Sequence, residues 1–510
     1  MKKNVLALSI ATAVVGFAGS AHAIGTIGTA ATADTLTFGD TGIGHMLLVP
    51  YFSTQNGNAT LLSLVNTDTV NGKAVKVRFR GAKNSDDIFD FQVFLSPGDV
   101  WTANVSQNAN GTSTLTTEDN SCTRPKSVNG NFVTSRVSGN AGAETLEGYV
   151  EIFNMADVKP TLTSGDANPI YTVTKHVKGV APCWNATAAQ GLAAWNKLST
   201  DQADEAAYAA IGLTNPTTGL MANWTIMNVP KALSWSGAAT AIQAVTAASG
   251  AVGTGNVVYF PQQNAPVGVA TIAKFTADPL LVADIVKGAQ YDLPDMSTPY
   301  LKGVIDPNVQ ANNLANSIAA THVINEFWTD DTIMANTDWV FSMPTRRYAV
   351  AMDYTGKKAV YNDNNARHFA SANTVVNGDA ICVTDVSPNV FGREEENEVA
   401  SNDDVISPGT PEAKKAFCGE TSILSFGSEA TAERSAVLGA KIALSTIGAK
   451  YQNGWADLTL GGAATGAGLP VLGNAFASAY NQAVDAGTSG NFSVNWNHRF
   501  IRPVAATPAP

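Results

Sequence analysis

A two-residue alternation in residues 73–101, KAVKVRFRGAKNSDDIFDFQVFLSPGDVW, constrains the fold of this chain more than any other feature. Val75, Val77 and Phe79 alternate with basic residues, and residues 88–95 place aromatic and aliphatic side chains at every second position. Successive side chains of a strand point to opposite faces, so the pattern predicts two strands. The first should be half-buried, with one apolar and one cationic face.

Similar runs recur along the chain and are separated by turn residues such as Asn71-Gly72 and Pro97-Gly98. They cover residues 61–65, 147–154, 223–229, 321–328, 337–350 and 491–500. Short strands at this spacing predict a mainly β protein, specifically an antiparallel immunoglobulin-like β-sandwich with helical and loop insertions in the middle of the chain. No fixed repeat period is visible, which disfavours a solenoid or a propeller.

The first residues have the order of a secretory signal peptide. Lys2 and Lys3 precede an apolar run over residues 5–18, and Ala21-His22-Ala23 fits a signal-peptidase site, so the mature chain should begin at Ile24. No later apolar run approaches the ~18 residues that a membrane helix needs. The chain is therefore predicted to be exported.

Composition divides the rest of the chain into three regions after the signal peptide of residues 1–23. Residues 24–181 are predicted to form an N-terminal β-sandwich region and residues 318–510 a C-terminal β-rich region, which together can share one scaffold. Residues 182–317 are rich in alanine and should carry helical insertions and some strands.

Two segments of this middle region carry helix signals. The clearer one has Asp278 as N-cap, Pro279 at the first helical position, an apolar run to Val286 and Gly288 just past the end. The other runs over residues 200–211 and is followed by glycine.

Four cysteines, Cys122, Cys183, Cys382 and Cys418, form an even set in a chain that should reach an oxidising compartment. We expect two disulfides, paired by proximity as Cys122–Cys183 and Cys382–Cys418, each worth ~3–4 kcal/mol through the unfolded state. A zinc site is the alternative, but no CxxC or HxxxH spacing favours it.

Charge and motifs exclude several functions. The net charge is -11, and the basic residues are dispersed, which argues against nucleic acid as a partner. No GxSxG, HExxH, P-loop or strand–GxGxxG–helix motif occurs, and the histidines of the mature chain are not at metal-ligand spacing. The histidines are His45, His176, His322, His368 and His498. We predict no enzyme, although two distant carboxylates would suffice for a glycosidase.

The densest charge lies between the two C-terminal cysteines, in GREEENEVASNDD. Its acidic residues are Glu394, Glu395, Glu396, Glu398, Asp403 and Asp404. Calcium prefers several oxygen ligands from such a loop, and a disulfide would help to order it. A plain surface loop, partly paired with Arg393, is the favoured interpretation, because most acidic runs are solvated.

Trp328, Trp339 and Trp496 lie beside polar residues and could serve as stacking platforms for sugars. Packing in or at the edge of a sheet core is the favoured interpretation for all three. The same holds for His322 and His498, which fall on predicted strands beside aromatic residues.

Several segments resemble a group of proteobacterial exported proteins described as cell-surface or surface-layer-like proteins. They are LVNTDTVNGKAVKVRFRGAKNSDDIFDFQVFLSPGDVW, GYVEIFN, TDWVFSMPTRR and GREEENE, scattered from about residue 58 to about residue 498. The resemblance implies a β-sandwich protein at the surface or envelope of a Gram-negative bacterium, which self-assembles into an array. It implies no catalytic residue.

The predicted function is therefore that of a non-enzymatic structural protein of the cell surface, an S-layer component that associates with its own copies. Neutral Thr, Asn, Ser and Gly surfaces suit such packing, because little charge must be desolvated. One alternative is an adhesin that binds outer-membrane or surface polysaccharide. Another is an outer-membrane β-barrel porin, against which the cysteines and the alanine-rich stretches count. The deciding observation is whether the apolar flanks of residues 75–79 and 89–95 face a dry protein interior.

Overall fold

A computed structural model describes residues 28–200, 202, 204–262, 274–282, 293–396, 415–427, 431, 434–441, 444–447, 451–481 and 490–503. These residues form a mainly β protein whose strand pairs are antiparallel except for one. The strands before residue 250 are β1 (Thr35–Gly39), β2 (Met46–Ser53), β3 (Asn58–Asn66), β4 (Gly72–Gly81), β5 (Asp87–Leu95), β6 (Val100–Gln107), β7 (Ser113–Thr116), β8 (Cys122–Arg124), β9 (Gly130–Asn131), β10 (Glu147–Val158), β11 (Leu220–Asn228), β12 (Leu233–Ala238) and β13 (Thr240–Val245).

Two sheets built from these strands pack face to face. The first has the order β1-β13-β2-β10-β4-β5-β8, and the second has the order β12-β11-β3-β6-β7-β9. Between them lies a buried cluster to which Val75, Val77 and Phe79 of β4 and Phe91 of β5 contribute from one side, and Trp224 of β11 from the other. The predicted sandwich-like packing and the dry interior on this flank are confirmed.

The prediction of a half-buried β4 is wrong, because all ten of its residues are buried. Its basic side chains, Lys73, Lys76, Arg78 and Arg80, are at most 1% exposed. A second apolar cluster, drawn largely from residues 155–304, covers this other side of the first sheet. The cationic flank therefore meets protein and not solvent.

The middle region supplies both helices and strands. Its strands β11, β12 and β13 complete the two sheets, so residues 220–245 belong to the scaffold itself. The helices of the described chain are α1 (Pro169–Thr174), α2 (Leu192–Lys197), α3 (Glu205–Ala210), α4 (Pro279–Val282), α5 (Pro307–Ile318) and α6 (Arg346–Ala349), with 3₁₀ turns at Ser138–Asn140, Gly142–Thr145, Cys183–Asn185, Ala188–Gln190, Asp331–Ile333 and Asp363–Asn365.

The start of the first predicted helix and the end of the second agree with the structure. Asp278 caps α4 by accepting the Leu280 N–H at 3.0 Å, while Val286 and Gly288 lie outside the described residues. The second helix, α3, is shorter than predicted and begins after its cap Asp204. Helix α5 was not predicted, although its Asp306 cap and the following proline repeat the signal that marks α4.

The C-terminal region adds two larger sheets. Its strands are β14 (Ala319–Ala320), β15 (His322–Trp328), β16 (Asn336–Ser342), β17 (Val350–Asp353), β18 (Lys358–Tyr361), β19 (Thr374–Asn377), β20 (Ala380–Gly392), β21 (Lys415–Cys418), β22 (Thr421–Phe426), β23 (Leu444–Ile447), β24 (Asn453–Leu460), β25 (Leu469–Pro470), β26 (Asn474–Tyr480), β27 (Asn491–Asn497) and β28 (Arg499–Ile501). The third sheet has the order β19-β20-β24-β15-β28, with β21 also on β20, and the fourth has the order β23-β22-β16-β26-β27. Two short pairs, β14–β25 and β17–β18, stand apart.

The N-terminal and C-terminal regions share a core. Val340, Ile423 and Phe476 from the fourth sheet lie in the same buried cluster as the interior of the first two sheets. Leu438 joins them, and its carbonyl accepts a hydrogen bond from the Asn58 side chain at 3.0 Å. This common interior agrees with one scaffold, while the region boundaries stay a prediction.

Candidate assembly surface

The strand residues on the outer face of the second sheet are uncharged. Side chains of β3, β6 and β11 alternate between buried and accessible positions, with Leu62, Trp101 and Trp224 pointing inward. We call the accessible set the neutral face. It comprises Ala59, Leu61, Ser63, Val65, Val100, Thr102, Asn104, Ser106, Thr114, Thr116, Asn131, Met221, Asn223, Thr225, Met227, Ser234, Ser236 and Ala238. None of these residues carries a charge.

Strand register arranges the neutral face in rows across the sheet. One row crosses five strands and contains Ser236, Thr225, Leu61, Asn104 and Thr116. Hydroxyl, amide and small apolar groups therefore follow one another without an ionic group. A second protein surface can pack here and exchange hydrogen bonds without desolvating a charge, which is the costly step in burying a surface.

The neutral face reaches the lower end of the size range of specific protein contacts. Five strands at ~4.8 Å and about seven residues at ~3.4 Å give roughly 600 Å², against about 800 Å² per partner in a typical stable interface. A shallow depression of about 720 Å³ lies in it, and its lining includes Ser63, Thr102 and Thr225 of the strands and the exposed Glu118 of the loop after β7.

One edge of the same sheet is closed by the chain itself. Side chains of β27 take the place of a further strand beside β12: the Ser234 N–H donates to Ser493 Oγ at 3.0 Å, and Asn495 Nδ2 donates to the Ser236 carbonyl at 2.8 Å. An open edge would pair with other chains. Because the β12 edge is occupied, a partner at this end of the sheet meets the flat face and not an open edge.

A layer of paired charges lies in the interior of the N-terminal half, around β4. Lys73 Nζ is 2.8 Å from Asp157 Oδ1, and Arg80 Nε is 3.3 Å from a carboxylate oxygen of Glu151. Arg78 Nε is 3.1 Å from Asp87 Oδ2. Buried ionic groups such as these require partners, because unpaired charges are expensive to remove from water.

Burial sets the acid–base behaviour of this layer. Desolvation raises the pKa of Glu151, an effect that Arg80 and Arg78 oppose. Desolvation likewise raises the pKa of Asp157 against the pull of Lys73. For Arg78, desolvation lowers the pKa, but Asp87 and the other carboxylates more than offset it and leave the pKa above its usual value. The layer consists of mutually paired groups.

A smaller cavity of about 330 Å³ opens beside β5 and includes Asp87 and Asp90. Both carboxylates already serve basic residues: Asp87 contacts Arg78 and also Arg136, at 2.8 Å, and Asp90 contacts Lys76 at 3.0 Å. Both carboxylates that line this cavity therefore belong to the layer of paired charges.

The predicted calcium ligands are only partly described. Glu394, Glu395 and Glu396 are exposed, and Glu394 pairs with Arg393 at 2.9 Å. The remaining ligands, Glu398, Asp403 and Asp404, lie outside the described residues. Within the described ranges, no group of three His, Cys, Asp or Glu side chains is arranged to hold a metal ion.

The tryptophans predicted as core or edge residues occupy such positions. Trp339 is fully buried, and its indole N–H donates to the Glu326 carbonyl at 3.0 Å. Trp328 and Trp496 are half-buried and contact each other edge to face, with ring centroids 4.7 Å apart. The sequence analysis did not single out Trp455, which is exposed. In the run WADLTL, Ala456, Leu458 and Leu460 alternate with the other residues, and this alternation places Trp455 on the outward side of the strand.

The histidines are dispersed in the structure. His322 Nδ1 is 2.9 Å from Asp457 at the surface. Burial lowers the pKa of His45 and of His368 to about 4. It lowers the pKa of His498 to about 3, against the opposing hydrogen bond to the Val340 carbonyl. Buried imidazoles of this kind are neutral hydrogen-bonding members of the core.

Both predicted disulfides are present with the predicted pairing. Cys122 of β8 is bonded to Cys183, and the cross-strand pair Cys382–Cys418 joins β20 to β21. The second bond encloses the acidic segment. Disulfides indicate an oxidising, extracytoplasmic environment. Among the described residues, no helix has both the length and the apolar composition to cross a bilayer.

The chain matches no family model, no curated protein and no solved structure.

Proposed function

We propose that this chain is an exported, non-enzymatic structural protein of the cell surface, which associates with its own copies through the neutral face to build a surface layer. The main support for this proposal is that the strand residues on the outer face of the second sheet carry no charge. The outer face of the third sheet, in contrast, carries the charged residues Glu326, Asp457 and Arg499. The exclusion of charged residues from the neutral face favours contact with another protein surface.

The occupant of the neutral face is a second copy of the chain. The face presents matching donors and acceptors, Ser, Thr and Asn, which can pair with the same groups across a two-fold axis. The edge protection by β27 favours face-to-face contact over the addition of strands.

The test compares two asparagine-to-lysine substitutions on exposed strand positions. Asn223→Lys places a charge on the neutral face, and Asn389→Lys places the same charge on the outer face of the third sheet. Sedimentation velocity and negative-stain microscopy should show assembly of wild-type residues 24–510 and of Asn389→Lys. For Asn223→Lys we expect association weaker by about tenfold or more, because two copies bring the added charges together.

Two results would contradict the proposal. Equal assembly of both variants would exclude the neutral face as the interface. A wild-type protein that stays monomeric at high concentration, with and without calcium, would exclude self-association altogether.

Three finer expectations belong to the same proposal. The sandwich-like sheets have immunoglobulin-like topology, the N-terminal segment is a signal peptide, and the compartment is a Gram-negative cell envelope. Calcium bound by residues 394–404 would stiffen or bridge subunits. Calcium-dependent sedimentation that is lost in Glu394→Gln with Glu396→Gln would favour this role, and sedimentation unchanged by calcium would count against it.

A further inference from the structure

The outer face of the third sheet carries an open groove of about 460 Å³ whose lining is unlike the neutral face. Its walls include the aromatic rings of Trp455 and Trp328 and the charged side chains of Glu326, Arg393 and Arg499. We call it the aromatic groove. Aromatic walls with a few polar groups around them are typical of sites for small ligands.

Trp455 forms a flat platform at the surface. It is 39% exposed, and its ring stacks on Phe391 of the neighbouring strand, with centroids 4.2 Å apart and planes within 10°. The adjacent Ala456 and Leu458 point into the core and hold β24 in place. One face of the indole is therefore supported by Phe391, while the ring keeps an accessible surface.

Trp328 lines the aromatic groove beside Trp455. It lies opposite Asn453 in the strand register, two residues along β24 from Trp455. Its ring contacts Trp496 nearly perpendicularly, and its backbone N–H donates to Thr337 Oγ1 at 3.0 Å. The wall is thus fixed before any ligand arrives.

Polar groups surround this aromatic surface at set positions. Glu326 lies directly opposite Trp455, and its carboxylate makes no hydrogen bond or ion pair with the described residues. Arg499 is held by Asn325 at 3.2 Å, and Asn325 is held in turn by buried His498 at 2.9 Å. A free carboxylate and an oriented guanidinium can together accept from and donate to hydroxyl groups.

We infer that the aromatic groove binds a neutral saccharide chain, with one pyranose ring on Trp455. The C–H groups on one side of a pyranose carry slight positive charge and match the negative face of an indole ring. Its ring-edge hydroxyls then reach Glu326, Arg499 and Asn453. The site is independent of the neutral face and of the self-association proposed above.

Charge argues for a neutral sugar. Glu326 lines the groove, and the exposed Glu394, Glu395 and Glu396 follow the lining residue Arg393 directly in the chain. Arg393 is already paired with Glu394. A polyanion would meet these carboxylates, and the net charge of -11 would oppose its approach. Neutral hydroxyls encounter no such barrier.

The experiment measures binding of neutral and acidic oligosaccharides to full-length mature protein by titration calorimetry. The probes are maltohexaose, cellohexaose, chitohexaose in its N-acetylated form, mannohexaose and, as the acidic member, hexagalacturonate. We expect at least one neutral probe to bind. Trp455→Ala should weaken it by about tenfold or more, while Trp455→Phe, which keeps an aromatic face, should retain most of the affinity.

A matched control separates this site from exposed aromatic rings in general. Phe492 is 58% exposed on β27, outside the groove, and Phe492→Ala should leave binding unchanged. Thermal melting of each variant checks that it folds. Glu326→Gln should weaken binding less than Trp455→Ala, since an amide still donates and accepts.

Three outcomes overturn the inference. Binding of no probe would exclude a saccharide site, and binding unchanged in Trp455→Ala would place it elsewhere. Preference for hexagalacturonate over all neutral probes would exclude the neutral class. Because assembly is measured separately with Asn223→Lys, failure here leaves the proposed self-association untouched.

Discussion

The outer faces of the second and third sheets differ in where the molecule puts its charge. Around the second sheet, charges are buried beneath β4 of the adjoining sheet and the neutral face carries none. Around the third sheet, Glu326, Asp457 and Arg499 lie on the outer face beside Trp455. Both sheets turn similar apolar side chains inward.

The contrast shows that the inward residues of the two sheets serve folding, while the outward residues determine which kind of partner each face can bind. A neutral face loses little free energy when it is covered by a large, flat partner. A face with an aromatic platform and charged groups recognises a small ligand and stays hydrated around it. The two surfaces therefore suit different partners on one scaffold.

The largest expected effect tests the burial of charge in the N-terminal half. Glu151→Gln removes the carboxylate between Arg80 and Arg78, and arginine cannot neutralise itself by losing a proton. We expect the free energy of unfolding to fall by about 3–5 kcal/mol in urea denaturation. Glu394→Gln, the same change in an exposed pair, should alter it by less than about 0.5 kcal/mol. Equal effects would show that the two halves do not differ in this respect.

The next effect concerns the sheet that carries the aromatic groove. Replacing Cys382 and Cys418 together by serine removes the covalent link between β20 and β21. The free energy of unfolding should fall by about 3–4 kcal/mol, because the unfolded chain gains the conformational entropy that the disulfide had restricted. Urea denaturation measures the loss. Assembly through the neutral face should persist under native conditions, whereas loss of assembly with retained fold would mean that the two faces are coupled.

A smaller effect depends on pH and isolates His498, the buried support of Arg499 through Asn325. Burial and the nearby Arg499 lower the pKa of His498 to about 3. Between this value and the ordinary histidine pKa, the imidazole therefore binds a proton in the unfolded chain but not in the folded chain. The contribution of His498 to the free energy of unfolding is therefore at its full value above about pH 7. Below about pH 6.5 the free energy of unfolding of the wild-type protein falls by about 1.4 kcal/mol per pH unit.

His498→Gln removes this proton linkage together with the hydrogen bonds of the ring. It should cost about 2 kcal/mol at pH 7, and the deficit should shrink on acidification until the two stabilities meet near about pH 5. Thermal or urea unfolding at several pH values measures the gap. His322→Gln, at a surface ion pair with Asp457, is the control and should change little. A gap that is constant with pH would contradict the buried neutral imidazole.

Sequence patterns predicted the strands well where one face is apolar. The alternation in β3, β5 and β11 was sufficient to place them, since each has an apolar side that must be covered. Residues 337–350 were predicted as one strand, but the structure breaks after Ser342 and forms α6 before β17. The Pro344 between them removes a ladder donor and disfavours a continuous strand.

The two candidate surfaces were harder to foresee. Trp455, Glu326 and Arg499 are far apart in the chain and meet only because β24 lies beside β15, and β15 beside β28. The neutral face likewise needs the register of five strands drawn from residues 58–238. Long-range pairing of this kind leaves no local signal.

By itself, the sequence determined the mainly β class, the turn positions and the pairing of four cysteines, because each depends on neighbouring residues or on short chain separations. Only the tertiary structure decided that the basic side chains of β4 are buried and that the outer faces of two sheets differ. A period of two assigns a side chain to one side of a strand. What covers that side depends on segments hundreds of residues away, and their packing sets both the cost of each charge and the surface left for partners.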